Sequence, residues 1–154
     1  MGTKLLPRSL PELFSHAILI EREATKRFAE LEKAMRDAGL DHLAEEFESI
    51  GREEREQFEA LTVGTEGHDL PEVPAWEFES YFQAPQGWKP RKPRSAREAL
   101  GLAIATERRA QNFYADVAES SRNDALSAFA AEMAADEMRH IQRLEQLLAR
   151  EPRY

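Results

Sequence analysis

The chain has 154 residues, of which 29 are acidic and 21 basic, giving a formal net charge of -8, and it contains no cysteine. The length suits one domain around one core, the acidity argues against a nucleic-acid binder, which needs a basic face, and the missing thiols exclude disulfides, thiolate zinc sites, iron–sulfur clusters and a cysteine nucleophile. No segment approaches the roughly 20 apolar residues of a membrane span, and the start Met1-Gly2-Thr3-Lys4-Leu5-Leu6-Pro7 carries no secretory pattern, so a cytoplasmic protein is expected.

Ser9 opens the first helix, with Glu12 three residues on for a capping box and Pro11 in the first turn, where a missing N–H costs nothing. Apolar residues then recur at helical spacing as Phe14, Ala17, Ile18, Ala24, Phe28, Leu31 and Met35, and Gly39 supplies the stop. Asp41 can cap a second helix with the stripe Leu43, Phe47, Ile50, Phe58 and Leu61, followed by Gly64. The short link makes these two helices antiparallel neighbours, a hairpin over residues 10–63.

Residues 64–94 break the pattern with five prolines, but they also hold Trp76, Phe78, Tyr81, Phe82 and Trp88, too many aromatic groups for a disordered linker. A short helix is expected over Ala75 to Gln83, within an extended strap packed on the bundle. Its aromatic residues read as a cover for the bundle or a dimer surface. The basic run Lys89, Arg91, Lys92, Arg94 and Arg97 reads as a solvated linker. Ser95 and Glu98 form a second capping box ahead of the stripe Leu100, Ala103, Ala110, Tyr114 and Val117. Asn123 or Asp124 caps the last helix, with Leu126, Phe129, Met133, Ile141, Leu144, Leu147 and Leu148 on its face and Pro152 at its end. This second hairpin spans residues 95–150. Each hairpin is amphipathic and can bury its apolar face only against the other. The expected fold is therefore all-α, an antiparallel four-helix bundle of two hairpins joined by a long crossover.

Polar groups interrupt all four stripes near mid-helix: Glu21, then Glu54 and Gln57, then Glu107, then Glu137 and His140. Residues three or four apart share a helix face, so these groups point inward with the apolar ones. A buried, uncompensated carboxylate costs several kcal/mol, and four at one level repel one another. Protons, buried cationic side chains or metal ions must balance them. Arg22, Arg108 and Arg139 lie beside the acids in sequence but off the stripe, so a pair of divalent cations is the simplest balance. Glu54-x-x-Gln57 and Glu137-x-x-His140 each place two donors about 4.5 Å apart along one face. The hairpins also look like copies: Glu21-Arg22-Glu23-Ala24 with Phe28 parallels Glu107-Arg108-Arg109-Ala110 with Tyr114, and Glu54-Arg55-Glu56-Gln57 with Leu61 parallels Glu137-Met138-Arg139-His140 with Leu144. A pseudo-two-fold axis would gather the four levels between the helices.

This constellation resembles the di-iron carboxylate pattern, one Glu from each of two helices and Glu-x-x-His from the other two, and within the ferritin-like superfamily it is most similar to the rubrerythrin-like branch, without a rubredoxin domain. The resemblance runs from about Leu10 to Ala149, apart from the longer strap. It implies metal ligation by Glu21, Glu54, Gln57, Glu107, Glu137 and His140, with Glu54 and Glu137 bridging two iron ions. Gln57 stands where the pattern has His, a weak, hard, neutral donor, so one position would be weak or take another divalent metal. Ile104 stands where rubrerythrins carry an additional Glu. The activity implied is that of a non-haem di-iron oxidoreductase reducing hydrogen peroxide or dioxygen with electrons from a separate donor protein, in a homodimer. Two alternatives stay open: a protein that binds or oxidises iron without peroxidase turnover, and a metal-poor structural bundle. Tyr114 reads as core packing whose hydroxyl can bond a ligand Glu. His16 and His42 read as exposed helix residues and His68 as a loop residue.

Overall fold

A computed structural model describes residues 6–75, 77–78 and 92–152. Its four long helices are α1 (Leu10–Asp37), α2 (Asp41–Gly64), α3 (Ala96–Ser120) and α4 (Asp124–Ala149). Contact is heaviest between α1 and α2 and between α3 and α4, and lighter across the two pairs. The result is the expected all-α bundle of two hairpins.

The helix starts follow local chemistry. Ser9 Oγ accepts from Glu12 N (3.2 Å) and Ser95 Oγ from Glu98 N (3.1 Å). The glutamates do not close the box on the cap residues. Glu12 accepts instead from Arg8 N at 2.9 Å and Glu98 from Arg94 N at 3.5 Å, one residue further out. Asn123 Oδ1 caps α4 through Leu126 N at 3.1 Å. Asp41 does not cap α2. Leu40 occupies that position without a side-chain bond, and Asp41 is the first helical residue, where its charge favours the helix dipole. Leu40 is committed to ending α1: its N–H reaches Met35 O (2.8 Å) while Gly39 N reaches Arg36 O (3.0 Å), with Gly39 at φ 78°. This is a Schellman closure, and it needs the left-handed backbone that glycine adopts freely.

The core is divided in two. One cluster joins Leu13, Ala17 and Ile20 of α1 to Phe113, Tyr114 and Val117 of α3 and Leu126, Ala130 and Met133 of α4. The other joins Phe28, Leu31 and Met35 to Leu43, Phe47 and Ile50 of α2, Leu100 and Ala103 of α3, and Leu144 of α4. Each large buried side chain stabilises the fold by about 1.5–3 kcal/mol. The inward stripe of α1 begins at Leu13 and includes Ile20. Phe14 and Ile18, expected there, are only half-buried. Phe14 instead sits edge-on to Phe129 at a centroid distance of 5.1 Å.

The described start of the crossover folds back on α1. Ser15 Oγ donates to Pro71 O at 2.7 Å, Glu77 and Phe78 donate their N–H groups to Pro74 O, and Phe78 packs on the first core cluster. A helical turn thus begins at Ala75. The remainder of the expected short helix, with Trp76, Tyr81, Phe82 and Trp88, lies outside the described residues, as do Lys89 and Arg91. Of the basic run, Lys92 pairs with Asp37 at 3.1 Å, and Arg97 donates to Leu148 O and Glu151 O at the end of α4. Arg97 is a helix clasp rather than linker solvation.

His16 is buried, contrary to its expected exposure. It stacks on Phe113 at 5.4 Å and its Nε2 lies 3.6 Å from Glu77 Oε1. His42 and His68 are exposed as expected. Burial pushes the His16 pKa down to about 4, against the opposing charge of Glu12. The unfolded chain therefore binds the extra proton between the ordinary value near 6.5 and pH 4, and stability falls with pH through that window. Chemical denaturation of the wild type and His16→Phe is expected to show about 2 kcal/mol more loss in the wild type between pH 7 and pH 5; parallel losses would mean that His16 takes no part.

Candidate metal centre

Between the two apolar clusters lies a polar layer. Each acid occupies a position that the helix period turns inward: Glu21 between Ala17 and Ala24, Glu54 four residues after Ile50, Glu107 between Ala103 and Ala110, and Glu137 between Met133 and Leu144. All four are 0% exposed and His140 is 3% exposed. Arg22, Arg108 and Arg139 point outward, the last two pairing with Glu145 and Asp136.

The side chains converge. One donor atom from each of Glu54, Glu107, Glu137 and His140 can be chosen so that all lie within 4.8 Å of one another. His140 Nδ1 is 2.9 Å from Glu54 Oε1 and 3.7 Å from Glu107 Oε2. Its Nε2 is 2.6 Å from Glu53 Oε2. Glu53 Oε2 thus takes up the Nε2 edge of the ring, and Nδ1 faces the layer. Glu21 Oε1 accepts from the Tyr114 hydroxyl at 3.2 Å, which makes the sequence reading of Tyr114 a contact. Gln57 is half-buried and donates through Nε2 to Asp136 Oδ2 at 2.9 Å.

Electrostatically the layer is rich in acceptors and poor in donors. Seven buried side-chain oxygens among the described residues have no hydrogen-bond partner: Glu21 Oε2, Glu54 Oε2, both of Glu107, both of Glu137, and Gln57 Oε1. Buried polar atoms are normally bonded, so seven in one place mark a site built for something that accepts lone pairs. Burial, with the charge of Glu54, holds the Glu21 pKa well above the ordinary carboxyl value. Burial and the charge of Glu107 raise Glu54 to about 7, and burial raises Glu107. Burial alone would lower His140, but the adjacent Glu107 and Glu54 overcome it and carry the ring up to about 11. Each of these carboxyl shifts disfavours the ionised form. A pair of divalent cations would satisfy the same oxygens and balance four ionised carboxylates. Carboxylate and imidazole donors together suit iron or manganese.

The rubrerythrin family model matches residues 98–152, the hairpin that supplies Glu107, Glu137 and His140. The chain is rubrerythrin-like. Its fold is that of an uncharacterized conserved protein from Magnetospirillum magnetotacticum MS-1, whose crystal structure superposes with a TM-score of 0.81 at 24% identity, covering 95% of this chain and 97% of that one. No curated protein matches the chain in sequence. Glu54, Glu107, Glu137 and His140 form a group that could hold a metal ion.

Two residues of this rubrerythrin-like centre escaped sequence reasoning, Glu53 and Asp136. Each immediately precedes the Glu of a Glu-x-x-His or Glu-x-x-Gln step. Each crosses to the other hairpin: Glu53 of α2 holds His140 of α4, and Asp136 of α4 holds Gln57 of α2. The acid at the same place in both copies was the available signal. Ile104 is half-buried and packs on the second core cluster.

Glu137 carries two partnerless oxygens, fully buried beside two other carboxyls, and replacing such a group by a hydrocarbon of similar size is often stabilising. Glu137→Leu is expected to raise the stability of chelator-treated protein by about 1–3 kcal/mol in denaturant titration while removing any stabilisation by added metal. A less stable, metal-responsive variant would show that Glu137 has another partner.

Proposed function

We propose that the protein is a non-haem di-iron oxidoreductase that reduces hydrogen peroxide or dioxygen. In this reading Glu21, Glu54, Gln57, Glu107, Glu137 and His140 would hold two iron ions, with Glu54 and Glu137 the residues that would be shared between them, and the ions would supply electrons to the oxidant. The observation that carries it is the donor-poor layer: seven partnerless buried oxygens on the inward residues, five of them on the three carboxylates clustered with one imidazole, in a chain whose second hairpin matches the rubrerythrin family model.

The protein's own part is positional. The two apolar clusters keep bulk water from the layer, which strengthens every charge interaction inside it. Glu53 fixes the His140 ring so that Nδ1 faces Glu54 and Glu107. The Tyr114 hydroxyl orients Glu21 and can return a proton to it as charge changes in the layer. Reducing peroxide to two waters consumes two electrons and two protons, and this cysteine-free sequence offers no thiolate iron centre to relay the electrons. A separate electron-donor protein therefore belongs to this reading, as does a homodimer.

Anaerobic loading with ferrous ion should give two irons per chain. At free metal about 100 times Kd, the fold should gain about 2.7 kcal/mol for each site filled. The reduced, loaded protein should consume peroxide over many turnovers with an artificial donor. Absence of bound iron, with a melting temperature indifferent to ferrous, manganous and zinc ions, would leave a structural bundle. Gln57 in place of a histidine favours a second reading, iron binding or oxidation without peroxidase turnover. Peroxide consumed once per iron pair, and then no more, would select it.

A further inference from the structure

We propose that Gln57, held by Asp136, makes the two metal positions unequal: a nitrogen-containing position that fills first, and an all-oxygen position that fills second and exchanges its ion readily. The inference rests on the di-metal reading above and adds an order of filling and a residue that sets it.

The geometry begins with the amide. Gln57 Nε2 lies 2.9 Å from Asp136 Oδ2. A carboxylate can only accept, so this neighbour decides which end of the amide faces it. The nitrogen is committed to Asp136, and Oε1 remains buried without a partner. Asp136 is itself anchored, because Arg139 donates to its other oxygen. The equivalent brace in the other direction joins Glu53 to His140 Nε2 at 2.6 Å and leaves Nδ1 free to face Glu54 and Glu107. The two braces are copies in position, but one presents an imidazole nitrogen and the other a neutral amide oxygen.

The acids deepen the difference. Both oxygens of Glu107 are without a hydrogen-bond partner, so both are open to a ligand beside His140. Glu21, which faces Glu54 one turn before Gln57, already shares Oε1 with the Tyr114 hydroxyl at 3.2 Å. One position thus combines Glu107 and His140 with the bridging acids. The other combines a partly engaged carboxylate and an amide oxygen with the same bridges. Nitrogen donors gain most from mid-row divalent ions, whereas all-oxygen sets discriminate less and suit hard ions such as manganous. Gln57 is also only half-buried, and no residue of α2 beyond Glu54 is fully buried among those described, which suits exchange. Asp136 acts as a positioning residue: without it the amide can turn and lose its oxygen from the layer.

The test is anaerobic titration of the chelator-treated full chain with manganous ion, free metal being read by electron paramagnetic resonance, and with ferrous ion by equilibrium dialysis. Wild type should bind two ions in steps separated by at least about tenfold in Kd, the size that supporting contacts around a metal typically carry. Gln57→His should tighten the weaker step and bring the two together, leaving the first unchanged. Asp136→Ala should weaken only the second step by about tenfold, and Asp136→Asn, which keeps an acceptor oxygen, should restore it. Helical circular dichroism on each variant separates these effects from misfolding. Two ions of equal affinity in the wild type would overturn the inequality while leaving the di-metal reading intact. A weaker step unmoved by Gln57→His or by Asp136→Ala would overturn the role of that residue. No binding by either wild type or Gln57→His would fail the di-metal reading itself.

Discussion

The rest of the structure depends on neutralising four carboxyl groups that share one dry level of the bundle. Glu21, Glu54, Glu107 and Glu137 are each fully buried, and no arginine or lysine reaches them in the geometry described. Two Leu- and Phe-rich clusters, one on each side, provide the burial that offsets this layer. A wholly apolar interior at that level would be the more stable arrangement. The acids are therefore understandable as a site at which a bound cation would complete the fold's own charge balance, and this would link folding and metal affinity in one equilibrium.

Much of this was legible because both signals are local. Helical periodicity and the Ser9, Ser95 and Asn123 caps depend on residues within a turn of one another, and the interruptions at Glu21, Glu54, Glu107 and Glu137 fall on the same period. The register of α1 was less clear. Phe14 and Ile18 are large and apolar, but the buried set is Leu13, Ala17, Ile20, Ala24 and Phe28. Hydrophobic size does not say which flank of a wide apolar face meets the partner helices.

Other features depend on partners far along the chain. His16 is buried because Phe113 and Glu77 come to it, and nothing within its own turn signals either. Glu53 meets His140 across 87 positions and Asp136 meets Gln57 across 79. Viewed alone, each acid is one more charged residue beside a helix face. Asp41 was misplaced for a different reason: the Schellman closure of α1 consumes Leu40, so the next helix must start directly from that residue.

The internal repeat gives these contacts their meaning. Seven residues after the acid of each first helix stand Phe28 in one hairpin and Tyr114 in the other; three after the acid of each second helix stand Gln57 and His140. The hairpin over α3 and α4 keeps the hydroxyl and the imidazole, and it is the one the rubrerythrin family model matches. Because the pseudo-two-fold sends each brace across the bundle, the loss in one hairpin is felt by the ligands of the other. Phe28 has no hydroxyl to offer, and both oxygens of Glu107 lack a donor. Glu21, facing Tyr114, has one. An arrangement symmetric in backbone thus carries an asymmetric set of donors, and the asymmetry runs consistently: the half of the layer with the imidazole also has the unencumbered carboxylate.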